Sequence, residues 1–169
     1  MSERVIAFNF HPELCVGCGR CITTCLDVND IDLDKFLPLR TLTVKESIRD
    51  GGKIRIEYYT AACMHCEDMP CAKACPQGCY RKDARTGLVI LDNSECAGCG
   101  KCAAVCPFSA IKFCERKAVK CTGCIDRVRE NLLPACVACC SRKAITVDER
   151  NLVLRKGRRQ LKQALRARA

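Results

Sequence analysis

Residues 15–25 read CVGCGRCITTC, four cysteines at spacings of three, three and four. Taken alone, such a run suits a metal knuckle, a disulfide knot or chance. The pattern returns three times, and that repetition decides the fold. CMHCEDMPCAKAC supplies Cys63, Cys66, Cys71 and Cys75, and CAGCGKCAAVC supplies Cys96, Cys99, Cys102 and Cys106. CTGCIDRVRENLLPACVACC supplies Cys121 and Cys124, then Cys136 and Cys140. Runs one and three are C-x2-C-x2-C-x3-C; run two has two extra residues before its third cysteine and run four has nine. All four end in C-x3-C.

The spacing has a physical reason. Three thiolates two residues apart, in loops holding Gly17, Gly19, Gly98, Gly100 or Gly123, can wrap one face of a cubane, with glycine letting backbone amides turn inward. The fourth cysteine lies one helical turn beyond the third and points away from that cluster, towards a second. This is why the fourth Cys of each run in two-cluster ferredoxins serves the other cluster. Pro76 and Pro107 follow Cys75 and Cys106, as in the bacterial C-P ending, whereas Leu26 and Ser141 follow Cys25 and Cys140. Zinc knuckles use paired C-x2-C units and give no reason for a third cysteine or a fourth at x3.

Composition agrees. The 169 residues include 19 cysteines, an odd number gathered in tight runs rather than scattered as in a disulfide scaffold. The opening MSERVIAFNF has neither an apolar leader core nor a twin-arginine pattern. No stretch approaches the roughly 18 apolar residues of a membrane span. The expectation is a cytoplasmic chain with no integral membrane segment. Cysteine inflates the 49% hydrophobic share, and with no Trp and five Phe the side-chain core is thin, so metals must help hold it.

A net charge of +10 suggests nucleic acid. Eight basic residues (Arg150, Arg155, Lys156, Arg158, Arg159, Lys162, Arg166, Arg168) fall in the last twenty positions, leaving 1–149 at +2. Each oxidised cubane with four thiolates carries roughly −2. Four of them turn the body acidic and leave only the tail basic. No nucleic-acid partner is expected.

The blocks CMHCEDMPCAKACP, CAGCGKCAAVCPFSAI and KCTGCIDR…LPACVACC resemble the four-cluster ferredoxin-like subunits of multi-subunit oxidoreductases. These are electron-transfer partners of molybdenum and tungsten pterin enzymes, carbon monoxide dehydrogenases and some hydrogenases. The resemblance covers about residues 5–148. It implies four [4Fe-4S] clusters with nested ligation. Cys15, Cys18 and Cys21 would share a cluster with Cys140, and Cys121, Cys124 and Cys136 one with Cys25. Cys63, Cys66 and Cys71 would pair with Cys106, and Cys96, Cys99 and Cys102 with Cys75. The clusters would form a line. The implied fold is α+β: two interlocked bacterial-ferredoxin-like halves in pseudo-two-fold arrangement, with short strands and one-turn helices. The outer half takes about 1–30 and 115–149, the inner half about 60–114, and 26–62 is an insertion or a contact surface for a partner. Residues 150–169 form the basic tail.

Strand-favouring segments recur at Lys53–Tyr59, Leu88–Asp92, Ala110–Phe113 and Ala144–Val147, and RTGLVILD and SIRDGGKIRIEYY carry hairpin turns. Cys79, Cys114 and Cys139 are left over and read as small buried hydrophobes. His65 reads as a solvated side chain in a cluster loop, with tuning of a cluster as the sharper alternative. Arg127 could lend charge to a cluster. In the tail, Leu154, Leu161 and Leu165 suggest a helix on an acidic partner, ahead of a frayed end or a membrane-surface helix.

No phosphate loop, dinucleotide fingerprint or Ser/His/Asp set is present, and there are two histidines. The chain is therefore expected to be non-catalytic, relaying electrons between a large catalytic subunit and a further redox subunit or ferredoxin acceptor. Family habit makes a tungsten- or molybdenum-pterin aldehyde oxidoreductase type the first expectation for that partner. A freestanding polyferredoxin carrier is the alternative.

Overall fold

The computed structural model describes residues 6–34 and 37–148. The basic tail and the readings attached to it lie outside the described residues. Strand β1 (Ala7–Phe10) leads through a 3-10 turn (Pro12–Leu14) to the first cysteine run and helix α1 (Arg20–Val28). A hairpin, β2 (Thr41–Ile48) and β3 (Ile54–Ala61), follows. Then come α2 (Pro70–Lys73), β4 (Tyr80–Lys82), β5 (Val89–Leu91), α3 (Lys101–Ala104), β6 (Ile111–Cys114) and β7 (Lys117–Lys120). The fold closes with α4 (Ile125–Arg129), α5 (Ala135–Ala138) and β8 (Ile145–Asp148).

The strands form four antiparallel pairs: β1 with β8, β2 with β3, β4 with β5 and β6 with β7. The first pair joins the two ends of the described residues, with Phe8 opposite Val147 and Phe10 opposite Ile145. Inside it, α1 packs on α5 and α2 on α3. The result is a small α+β protein of short elements arranged around its cysteine loops.

Three departures from the sequence reading have local causes. Helix α1 has nine residues rather than one turn. Proline after Cys75 and Cys106 stops α2 and α3, but Leu26 follows Cys25, and α1 continues until the Asn29 side-chain amide donates to the Cys25 carbonyl at 2.8 Å. The 26–62 segment thus begins inside a helix and is otherwise mainly a hairpin. Strand β1 is buried at all four positions and offers no alternation to read. Strand β7 follows a turn in which Glu115 and Arg116 both have positive φ, at 47° and 66°. Such turns normally announce themselves by Asn-Gly or Asp-Gly.

The main core gathers Phe8, Phe10, Tyr59, Met64, Leu88, Phe108, Val128 and Ile145. A second cluster joins Cys79, Tyr80, Val89, Cys102, Ile111 and Ala118. Leu88 is fully buried and reaches the loop of the fourth run, where its Cδ2 would lie 2.6 Å from a Cβ added at Gly123. Truncating a buried leucine to alanine costs about 2–5 kcal/mol. In a protein of this size Leu88→Ala should therefore lower the anaerobic melting temperature by about 5–15 °C.

The β2–β3 hairpin has two characters. Near its root, Tyr58 lies over Gly17, while Tyr59 and Ala61 are buried. Towards its tip, Ile48 pairs with Ile54 and Glu46 with Ile56, and Val44, Ile48, Ile54 and Ile56 share one face while 44 to 80% exposed.

Candidate functional site

Three sulfur-lined cavities organise the molecule. Cys15, Cys18, Cys21 and Cys140 surround the first, with about 420 Å³ of empty space partly open to solvent. Cys63, Cys66, Cys71 and Cys106 line a second of about 370 Å³. Cys75, Cys96, Cys99 and Cys102 line a third of about 330 Å³, with Cys79 and Tyr80 in its wall. The remaining predicted residues also meet: the Cys25 thiol is acted on by Cys121, Cys136 and Cys124. These are sites A (Cys15, Cys18, Cys21, Cys140), B (Cys25, Cys121, Cys124, Cys136), C (Cys63, Cys66, Cys71, Cys106) and D (Cys75, Cys96, Cys99, Cys102).

The chemistry of the sets suits a polynuclear group. Zinc knuckles use paired C-x2-C units and give no reason for a third cysteine two residues on. The thiols also crowd one another. Burial, then the neighbouring Cys121, pushes Cys25 up to about 12, and burial with Cys63 pushes Cys121 up to about 11. A cationic iron–sulfide core relieves both, because a coordinating thiol is deprotonated outright.

Donors are already aimed at the sulfurs. Backbone amides of Ala110, Ala118, Gly123 and Ala144 donate to Sγ of Cys106, Cys96, Cys121 and Cys140 at 3.4, 3.4, 3.3 and 3.2 Å. Asn29 Nδ2 reaches Cys25 Sγ at 3.6 Å, and Thr60 Oγ1 lies 3.6 Å from Cys21 Sγ. Hydrogen bonds of this kind set cluster potentials. Burial, then the neighbouring Cys102, holds the Tyr80 phenol above its ordinary range, and among the described residues its buried hydroxyl makes no hydrogen bond.

The loops holding the cysteines depend on close contacts. Gly98 has a φ of +68° and lies against the Arg116 carbonyl, where a Cβ would collide with backbone. The β6–β7 turn thus braces the loop of site D, while Ala118 in the same hairpin donates to Cys96. Gly98→Ala should cost that site its cluster, and iron per chain should fall from about sixteen to about twelve, read by elemental analysis after anaerobic purification.

Shared elements link the sites. Cys21 and Cys25, one turn apart on α1, and Cys136 and Cys140 join A to B. Cys71 with Cys75, and Cys102 with Cys106, join C to D. After burial, Cys63 is the neighbour that acts most on Cys121. Among the described residues two buried cations lie beside these cysteines. Lys120, 5% exposed, lines the cavity of site C and donates to the carbonyls of Val89 and Cys121. Arg40, also 5% exposed, donates through Nη2 to Cys136 Sγ at 3.4 Å.

Sequence reasoning missed both cations, and it misjudged His65. That side chain is buried, not solvated: its Nδ1 accepts the Val89 N–H at 2.9 Å, which puts the proton on Nε2. It stacks on Phe8 at 5.6 Å. Arg127 donates from Nε to the Leu133 carbonyl at 3.0 Å and lends charge to Cys124. Of the three spare cysteines only Cys79 is buried; Cys114 and Cys139 are half-exposed, and Cys139 donates to the Cys136 carbonyl at 3.5 Å.

Comparison with known proteins agrees with this chemistry. Residues 54–150 match the family model of a 4Fe-4S dicluster domain, and residues 14–79 match a second 4Fe-4S dicluster model. The sequence is 34% identical over 145 residues to one of the chains of the anaerobic dimethyl sulfoxide reductase of Escherichia coli K12, covering 82% of this protein and 70% of that one. It is 32% identical over 141 residues to the protein NrfC of the same organism, covering 80% and 62%. A putative iron-sulfur subunit of the dimethyl sulfoxide reductase of Halobacterium salinarum is 34% identical over 159 residues, covering 76% and 60%. The protein belongs to the 4Fe-4S dicluster family, as a non-catalytic electron-transfer subunit of multi-subunit oxidoreductases that carries four [4Fe-4S] clusters.

Proposed function

We propose that this protein relays electrons along A, B, C and D between a pterin-metal catalytic subunit and an acceptor or further redox subunit. The observation that carries the reading is the gathering of the run cysteines into three sulfur-lined cavities and a fourth group around Cys25; on this reading the four sets follow one another in a row. Each cubane supplies a one-electron couple. The ligands are Cys15, Cys18, Cys21 and Cys140; Cys25, Cys121, Cys124 and Cys136; Cys63, Cys66, Cys71 and Cys106; and Cys75, Cys96, Cys99 and Cys102. On this reading A and B belong to an outer ferredoxin-like half and C and D to an inner half nested within it. The protein excludes water from the sulfurs, fixes their spacing and supplies N–H and O–H donors.

Relatives named for dimethyl sulfoxide reductase favour a molybdenum-pterin partner over the tungsten aldehyde oxidoreductase type expected from family habit. The exposed apolar face of the β2–β3 hairpin, rooted over the loop of site A, is where that partner docks. Ile48→Asp combined with Ile54→Asp should reduce co-purification of the partner about tenfold or more, the scale of a hot-spot pair, while leaving iron unchanged. Among the described residues no helix is long and apolar enough to cross a membrane. The proposal places the complex in the cytoplasm, which cell fractionation tests.

Anaerobic isolation on this protein, followed by elemental analysis, tests the whole reading. About sixteen irons per copy, over and above the partner's share, are expected, with molybdenum or tungsten in the same sample. Iron with no second protein would favour the freestanding carrier. Zinc with little iron would overturn the proposal.

A further inference from the structure

Arg40 lies in the segment leading into β2 and is 5% exposed. Charged side chains are almost never so buried unless paired. Its Nη1 donates to Thr60 Oγ1 at 3.3 Å and its Nη2 to Cys136 Sγ at 3.4 Å. The charges that act on it most are those of Cys136, Cys121, Cys21 and Cys25. A guanidinium buried without an anion is strongly unfavourable. Its counter-charge must come from what the sulfurs hold.

We propose that Arg40 is a fixed positive charge that raises the reduction potential of the cluster at site B, and to a smaller extent that at site A. The inference rests on the ligand sets of the proposed function. Reduction adds one electron and takes a cubane with its four thiolates from roughly −2 to −3, with no proton or bond transferred. A nearby positive charge therefore favours the reduced state over the oxidised one. Coulomb interaction falls with distance, so B, whose Cys136 Arg40 touches, responds most. Site A is reached through Cys21 and Thr60. Site C has Lys120 as its own buried cation, and site D lies beyond it. The row thus holds an electron-stabilising step at its second position.

The test is an anaerobic redox titration of the full-length protein, monitored by EPR, with iron determined on the same sample. Arg40→Gln should load about sixteen irons and shift the site-B reduction equilibrium at least tenfold towards the oxidised cluster, about 59 mV for one electron. Site A should shift less, and sites C and D should stay put. Full iron with unmoved potentials would overturn the role of Arg40 alone. Wild-type iron far below sixteen after complete reconstitution would overturn the ligand sets and this proposal with them. Should Arg40→Gln fail to load, Arg40→His decides: its site-B potential should depend on pH where that of the wild type does not, because histidine carries charge only when protonated. A pH-independent potential there would count against the proposal.

Discussion

Cys121→Ala should remove the site-B cluster and break the row in the middle. Iron should fall from about sixteen to about twelve per copy, and electron transfer through the assembled complex should drop by at least about a hundredfold. Loss of a partner one step removed from a metal ligand already costs about 10–100-fold; here a ligand itself goes. On the proposed ligand sets site B is the most consequential place for this, because it stands between A and C. Cys79→Ala is the matched control. Cys79 sits in the wall of the site-D cavity and is more buried than most of the ligands, yet lies outside every proposed set, so its removal should leave iron near sixteen. Iron analysis and EPR of the two variants side by side would distinguish ligation from mere burial. Equal iron loss in both would sink the assignment.

Extraction of the clusters should unfold the protein altogether. Among the described residues, only Leu88, Val89 and Pro134 stand out as large side chains with essentially no exposure, and alanine and cysteine make up much of the rest of the core. A protein of this size has a net stability of about 5–15 kcal/mol. Structural metal sites contribute about 10–16 kcal/mol each in zinc-finger peptides, and four polynuclear centres stand here in place of one ion. The apo protein therefore has no margin left. Far-UV circular dichroism after anaerobic chelation should show loss of the strand signal, and heating should give no cooperative transition. An apo form that still melted cooperatively would mean that the side-chain core is stronger than its composition indicates.

Much of the site was legible because cysteine ligation is written in local spacing. Cys15, Cys18 and Cys21 announce one another within seven residues. The nesting that joins Cys15 to Cys140 came from resemblance, since no local signal links positions so far apart. Arg40 shows where spacing ends: an arginine in PLRT carries no mark of burial, and its role exists only once Thr60 and Cys136 arrive from elsewhere in the sequence. His65 was misread for the same reason. Its neighbours in sequence are the cysteines of a run, which suggest an open loop, but Phe8 and Val89 enclose it. Strand β7 was hidden because Glu115 and Arg116 adopt positive φ without glycine or asparagine, a conformation that the surrounding hairpin imposes.

The pairing of β1 with β8 also sets an order of manufacture. Asn9 and Asp148, hydrogen-bonded at 2.6 Å, stand 139 residues apart in the sequence. As the polypeptide leaves the ribosome, the first cysteine run emerges with neither of its completing partners, Cys136 and Cys140, yet made. The inner sets, drawn from residues 63–106, become whole well before that. On the proposed ligand sets, C and D are the centres that can be filled first on a growing polypeptide, while A and B wait for residues 121–140 to emerge. Until then the earliest thiols must be kept reduced and shielded, and a truncated product should leave the ribosome with two clusters rather than a graded series.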